Sequence, residues 1–177
     1  MPHLEEHNFS APAEVHSFSA LLFDMDGTII DSTNAIVKHW HQIGKEIGVD
    51  PEVILATSHG RRSIDVLEIL EPKLANWEFS AEQVAKGKPD PACYKLGAQR
   101  LNITSDDVLV LEDAPAGVRA GIAAGYKVVA LATTHTVQQL QEAGATWIVR
   151  DMRSVTMKNF DKKTGRVEIT IADALVQ

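Results

Sequence analysis

Apolar residues fall along this chain in two kinds of run. Ala20-Leu21-Leu22-Phe23, Val108 to Leu111, Val128 to Leu131 and Trp147 to Val149 are short and continuous, the pattern of strands buried on both faces. Between them the apolar spacing is three and four. Ser32 as N-cap, followed by Ile36, Val37, Trp40, Ile43 and Ile47, predicts a helix with one apolar stripe. Ile64 to Leu70 predicts a shorter helix, after a stretch punctuated by Gly48, Pro51 and Gly60. Pro91 to Leu101 reads as a helix with proline in its first turn. Pro115 to Ala124 is a small-residue helix ended by Gly125, and Val137 to Ala143 is a helix stopped by Gly144. Strands alternating with helices predict an α/β fold with a parallel sheet covered on both faces. Near the C-terminus the period changes to two. Val155 and Met157, then Val167, Ile169 and Ile171, flank Asp161-Lys162-Lys163-Thr164-Gly165 and predict a C-terminal β-hairpin. Residues 1–17 carry three His, three Glu and two Pro and read as a loose N-terminal leader.

Size and charge narrow the class. The 177 residues suit one domain with a small insertion. A formal net charge of −7 argues against a nucleic-acid binder or a ligand of anionic membranes, which are usually basic. The longest apolar run is far too short to span a bilayer. Cys93 is the sole cysteine, which excludes an internal disulfide and a multi-cysteine zinc site and favours a reducing compartment. No Lys or Arg precedes Lys38, so neither a secretory signal nor a mitochondrial presequence is expected, and the protein is placed in the cytoplasm. Oligomeric state is not legible.

Three segments carry candidate chemistry. Phe23-Asp24-Met25-Asp26-Gly27-Thr28 puts two carboxylates just past a buried strand, where open α/β sheets bind ligands. An ionised Asp is a nucleophile toward phosphorus, and a neighbouring carboxyl can protonate the leaving oxygen and then activate water. The alternative is an acidic turn with a helix cap. Leu111-Glu112-Asp113-Ala114-Pro115-Ala116-Gly117 adds two carboxylates at another strand end, suited to a Mg²⁺ site or, more simply, to a helix N-terminus. Lys86-Gly87-Lys88-Pro89-Asp90-Pro91 offers a lysine that would hold such acids and a phosphate together, or a solvated basic turn.

In this order the three segments resemble the haloacid dehalogenase-like (HAD) hydrolase superfamily, over about residues 20–151. Ser58-His59-Gly60-Arg61-Arg62 and Glu112-Asp113-Ala114-Pro115-Ala116-Gly117 are similar to the fungal glycerol-3-phosphate and 2-deoxyglucose-6-phosphate phosphatases. The resemblance implies a Rossmann-like core over 18–32 and 79–177, with a reduced helical cap inserted over 33–78. It implies Asp24 as nucleophile, Asp26 as general acid and base, and Lys88 as stabiliser of the transferring phosphoryl group. Mg²⁺ would be held by Asp24, the backbone carbonyl of Asp26, and Asp113, with Glu112 in support. Thr28 and the cap residues Arg61 and Arg62 would contact substrate, Arg62 ahead of Arg61; the alternative for the arginine pair is a solvated helix start. The implied partner is a small phosphorylated sugar or polyol.

One departure stands out. The family places a strand ending in Ser or Thr between the cap and the lysine motif. Here only residues 29–87 separate Thr28 from Lys88, and that stretch reads as helices. Thr57-Ser58 runs directly into the cap motif, Ser80 follows only Glu78-Phe79, and Thr133-Thr134 ends a good strand but comes after Glu112-Asp113. Half the cap and the phosphate-binding strand are therefore expected to be missing, with the seam near Trp77 to Ser80. That predicts an impaired phosphatase. The alternatives are a non-catalytic shortened form that keeps a metal or phosphate site, a receiver-type signalling domain, disfavoured because the acidic pair comes first, and a phosphomutase, which needs a larger closing cap.

Overall fold

A computed structural model describes residue 4 and residues 6–70, 84–104 and 107–176. In chain order it contains β1 (Glu14–Phe18), β2 (Ala20–Phe23), α1 (Thr33–Ile47), α2 (Pro51–Ser58), α3 (Ser63–Leu70), α4 (Ala92–Arg100), β3 (Val108–Glu112), α5 (Pro115–Ala123), β4 (Lys127–Leu131), α6 (Val137–Glu142), β5 (Trp147–Val149), β6 (Val155–Asp161) and β7 (Arg166–Ile171).

The four continuous apolar runs form one parallel sheet in the order β2-β3-β4-β5. Every residue of β3 is buried, which is why its apolar run is unbroken. Alternate side chains go to opposite layers. Val108, Val110, Val128 and Ala130 pack with Tyr94, Ala98, Val118 and Leu140 from α4, α5 and α6. Leu109, Leu111, Val129, Leu131 and Val149 pack with Phe18, Val167, Ile169 and Ile171. The second layer is thus an antiparallel sheet of order β1-β7-β6, not a set of helices. Each large side chain withdrawn fully from water at these faces contributes about 1.5–3 kcal/mol.

The hairpin is present as β6 and β7, and the leader is corrected. Part of the stretch read as loose is β1, which pairs along its length with β7, from Glu14 opposite Ile171 to Phe18 opposite Val167. Phe9 is also buried and bridges to Leu175. Phe9 and Phe18 supply the buried anchors of this segment while Ser10 and Glu14 are exposed, a division that composition alone conceals.

Over the stretch that the resemblance assigns to a cap, α1, α2 and α3 pack around Trp40, Ile54 and Val66, with Ile36, Ile43 and Ile47 of the predicted stripe against them. Asp50 caps α2 by accepting from the Glu52 amide at 3.0 Å, ahead of Pro51 at the first turn. Among the described residues β2 is the outer strand of the parallel sheet, paired with β3 alone. Phe23 and Met25 at its end, and Ile29 and Ile30 in the turn that follows, are exposed. The expected seam near Trp77 to Ser80 lies outside the described residues. Among the described residues no helix is long and apolar enough to cross a membrane.

Candidate active site

The site forms where β2 and β3 end side by side. The Asp24 amide still donates to the Leu111 carbonyl at 2.9 Å, and then the chain turns. The turn closes through the Gly27 amide on the Ile30 carbonyl, 2.7 Å, and the Ile29 and Ile30 amides on the Met25 carbonyl, both 2.9 Å. Gly27 has φ +84°, and a Cβ there would run into the Asp113 carboxylate. The turn therefore brings the first motif directly against the second.

Glu112 and Asp113 end β3 and are both buried. Glu112 is fully enclosed by donors. Its Oε2 accepts from the amides of Asp113 (3.0 Å) and Ala114 (3.1 Å), and its Oε1 from Lys88 Nζ (2.5 Å) and Tyr94 Oη (2.7 Å). α5 runs so close behind it that a Cβ on Gly117 would overlap the carboxylate. Lys88 Nζ also reaches Asp24 Oδ1 at 2.5 Å, so one ammonium bridges the two strand ends. Burial alone would lower the Lys88 pKa; Glu112 and Asp24 outweigh it and hold the group well above the ordinary lysine range. Burial raises Asp24, as does the Glu112 charge beside it, against the pull of Lys88.

Among the described residues Asp113 differs in having only neutral side-chain donors. Thr28 Oγ1 donates to Oδ1 at 3.3 Å and Thr134 Oγ1 donates to Oδ2. Burial pushes its pKa up, and Asp24 adds to the rise. Asp24, Glu112 and Asp113 place carboxylate oxygens within 4.8 Å of one another. Three carboxylates against one ammonium leave two negative charges, the complement of a hard divalent cation. Donor set and charge both fit Mg²⁺.

The remaining candidates are placed as follows. Asp26 is exposed beside this cluster, its Oδ1 accepting from Ser32 Oγ at 2.5 Å; its carboxylate is not among the convergent three. Arg62 is engaged with Asp65 through Nε (2.8 Å) and Nη2 (2.5 Å) and donates to the Val84 carbonyl at 2.9 Å, tying α3 to the chain leading into Lys88. Arg61 is exposed. Both arginines line a cleft of about 580 Å³ between cap and core, together with Asp24, Asp26, Lys88 and Asp113.

Other cleft and supporting residues escaped the sequence reading. His39 and Trp40 of α1 and His59 of the cap line the cleft. The His59 ring stands perpendicular to that of His135 at 5.4 Å, across the junction of cap and core. Burial and His59 lower the His135 pKa to about 4, so the ring is neutral near pH 7. Tyr94 lies six positions past Lys88, and Thr133 and Thr134 end β4. A hydroxyl at a strand end was the available signal for the threonines; their partners were not.

Comparison with known proteins agrees with this arrangement. A profile of the haloacid dehalogenase-like hydrolases matches residues 45–125. The chain is 28% identical to glycerol-1-phosphate phosphohydrolase 2 of Saccharomyces cerevisiae, over 89% of this chain and 92% of the relative. That alignment runs over 229 positions, more than the 177 residues present here, so part of the relative has no counterpart in this chain. It is 24% identical to 2-deoxyglucose-6-phosphate phosphatase 2 of the same yeast, over 80% and 91% of the two chains. In fold it is similar to a haloacid dehalogenase-like hydrolase of Bacteroides fragilis, with TM-score 0.62 and 17% identity over 76% of this chain and 98% of the other. Sheet topology, the convergent acidic cluster and these matches agree: in sequence and in fold the chain is similar to the haloacid dehalogenase-like hydrolases.

Proposed function

We propose that this protein is a Mg²⁺-dependent phosphatase of small sugar- or polyol-phosphate monoesters, acting through a phosphoryl group carried on Asp24. The observation that carries the reading is Lys88 bridging Asp24 and Glu112 while Asp113 stays without a cationic partner among the described residues. Asp24, Asp113 and the Asp26 backbone would hold Mg²⁺, which when bound offsets charge on the phosphoryl oxygens. Glu112, enclosed by donors, holds Lys88 in place.

The steps follow from the residues. An Asp24 oxygen attacks phosphorus in line with the ester oxygen, the P–O ester bond breaks, and Asp26 gives the departing alkoxide its proton. Lys88 balances negative charge on the transferring group. Water then enters, Asp26 takes a proton from it, and the oxygen attacks phosphorus, releasing inorganic phosphate and regenerating Asp24. Desolvation of Asp24 strengthens its interaction with the reacting group once water is displaced. The glycerol and hexose esters named for the yeast relatives are small enough for the cleft, where Arg61 and the rings of His39 and His59 face the polyol.

The chain is expected to be a weaker catalyst than those relatives. An outer β2 and the unmatched stretch of the relative support the loss of donors that would sit beside Asp24. One missing oxyanion donor costs roughly 10²–10³ in rate. These same observations favour a second reading, a form that binds metal without turning over. Phosphate release from glycerol 1- and 3-phosphate and 2-deoxyglucose 6-phosphate, with and without Mg²⁺, tests both. Mg²⁺-dependent release lost in Asp24→Asn supports the phosphatase; Mg²⁺ binding with no release supports the second reading. Release that is indifferent to Mg²⁺ and to Asp24→Asn sinks both. Grafting the unmatched stretch of the yeast glycerol-1-phosphate phosphohydrolase between Leu70 and Val84 should raise kcat/KM.

A further inference from the structure

The carboxyl end of β4 reaches into the site with two hydroxyls that none of the three motifs contains. Thr133 Oγ1 donates to the Gly27 carbonyl at 2.7 Å, bracing the first turn. Thr134 Oγ1 donates to Asp113 Oδ2, the oxygen that Thr28 does not hold. We propose that Thr134 is a positioning residue whose hydroxyl fixes the Asp113 carboxylate and thereby sets the affinity of the site for a divalent cation; this rests on the reading above that Asp113 is a ligand.

The argument is one of freedom and charge. A carboxylate turns easily about its last bond, because that torsion is broad and two-fold. One hydroxyl on each oxygen removes the rotation. Each oxygen retains lone-pair capacity for a cation, since a carboxylate offers about four acceptor sites. Neutral donors orient without cancelling charge. Asp24 and Glu112 share the Lys88 ammonium, whereas Asp113 has no Lys or Arg partner among the described residues and keeps its full charge for the ion. Hydrogen-bonded groups behind a metal ligand typically account for 10–100-fold in affinity.

Thr134 is itself held on two further sides. Its methyl lies against Gly27, where a Cβ would sit 2.8 Å from Cγ2. His135 Nδ1 lies 2.9 Å from Oγ1. The single hydroxyl proton goes to Asp113, so the imidazole nitrogen must be the donor in that second contact. The β-branched side chain is stiff about χ1, so these contacts select one orientation of the hydroxyl.

The test separates the hydroxyl from the methyl. Thr134→Val keeps the shape and removes the donor; Thr134→Ser keeps the donor and removes the methyl. Mg²⁺ is titrated calorimetrically into wild type and both variants, without substrate, after each is shown to melt cooperatively. The expected result is Mg²⁺ affinity about tenfold weaker in Thr134→Val and near wild type in Thr134→Ser. Equal affinity in wild type and Thr134→Val overturns the proposal and leaves the metal reading intact. An equal loss in both variants overturns it as well, because packing would then be the cause. A Val variant without a melting transition also counts against it, since an isosteric change would have revealed a structural role. Wild type that takes up no Mg²⁺ overturns this proposal together with the metal reading.

Discussion

Lys88 Nζ lies 2.5 Å from Oε1 of Glu112, a carboxylate with no exposure to solvent. A buried carboxylate persists only where its charge is compensated, and this one is compensated across 24 residues of sequence. Lys88→Met leaves Glu112 and Asp24 without that partner. The expected outcome is a loss of roughly 3–5 kcal/mol in stability with abolished turnover. Urea unfolding measures the first. Adding Glu112→Gln should restore stability in part and activity not at all.

Gly117→Ala is expected to be far more damaging than a glycine-to-alanine change in an exposed helix. Helix propensity favours the substitution by about 1 kcal/mol. The new methyl would overlap the Glu112 carboxylate, whose two oxygens are both held by hydrogen bonds. Overpacking of about 1–3 kcal/mol should prevail, with Lys88 displaced as a consequence. A rise in melting temperature would show that Glu112 can move aside.

Asp113→Asn should stabilise the metal-free protein at neutral pH. The folded Asp113 carboxyl has a raised pKa, so the native state holds its proton more tightly than the unfolded chain does. Stability is therefore lost as pH rises from the ordinary carboxylate range through the raised value. Asparagine is spared that loss while its amide oxygen still accepts from a threonine hydroxyl. Melting curves across pH should diverge upward from about pH 4, and Mg²⁺ should raise the melting temperature of wild type alone.

His135 acts in the opposite sense. Its folded pKa of about 4 lies below the ordinary 6.5, so between these values the unfolded chain gains a proton that the folded ring refuses. Stability from this group is complete above pH 6.5 and declines as pH falls toward 4. His135→Gln should flatten that part of the stability profile relative to wild type. Parallel profiles for the two proteins would remove His135 from the account.

Among the described residues β2 is paired on one side only, with exposed Phe23 and Met25 at its end. Such an edge favours pairing with another chain. Apparent mass in sedimentation should rise with protein concentration, and Phe23→Lys together with Met25→Lys should abolish the rise. A monomer at all concentrations would show that the edge is protected.

The strands of the parallel sheet were legible because full burial on both faces leaves no polar position to obscure them, as in Val108 to Leu111. Asp24, Glu112 and Asp113 stood out as carboxylates at or just past the ends of apolar runs, and Lys88 through the order of the three segments that carries the resemblance. The antiparallel layer was only half visible. β7 alternates cleanly, whereas β1 offers Phe18 amid Glu14, His16 and Ser17, and its place depends on a partner far away in sequence. α2 was missed although Asp50-Pro51 is a good start signal, because only Ile54 and Ser58 of it are buried. Thr134 and Tyr94 could not be assigned from sequence: a hydroxyl acquires a role only through the atom it touches.

The pairing of β1 with β7 also bears on how the chain is made. Arg166 donates to the Ser17 carbonyl at 2.6 Å and reaches Ser17 Oγ at 2.9 Å, across 149 residues. On the ribosome, β1 must wait for β7 before this edge is closed. Until then Phe18 and the inner face formed by Leu109, Leu111, Val129 and Leu131 lack their cover. Non-local closure of this kind is slow and exposes apolar surface meanwhile. A nascent chain stalled before Arg166 would already contain all four carboxylates and the lysine, yet would present them on a half-clad sheet.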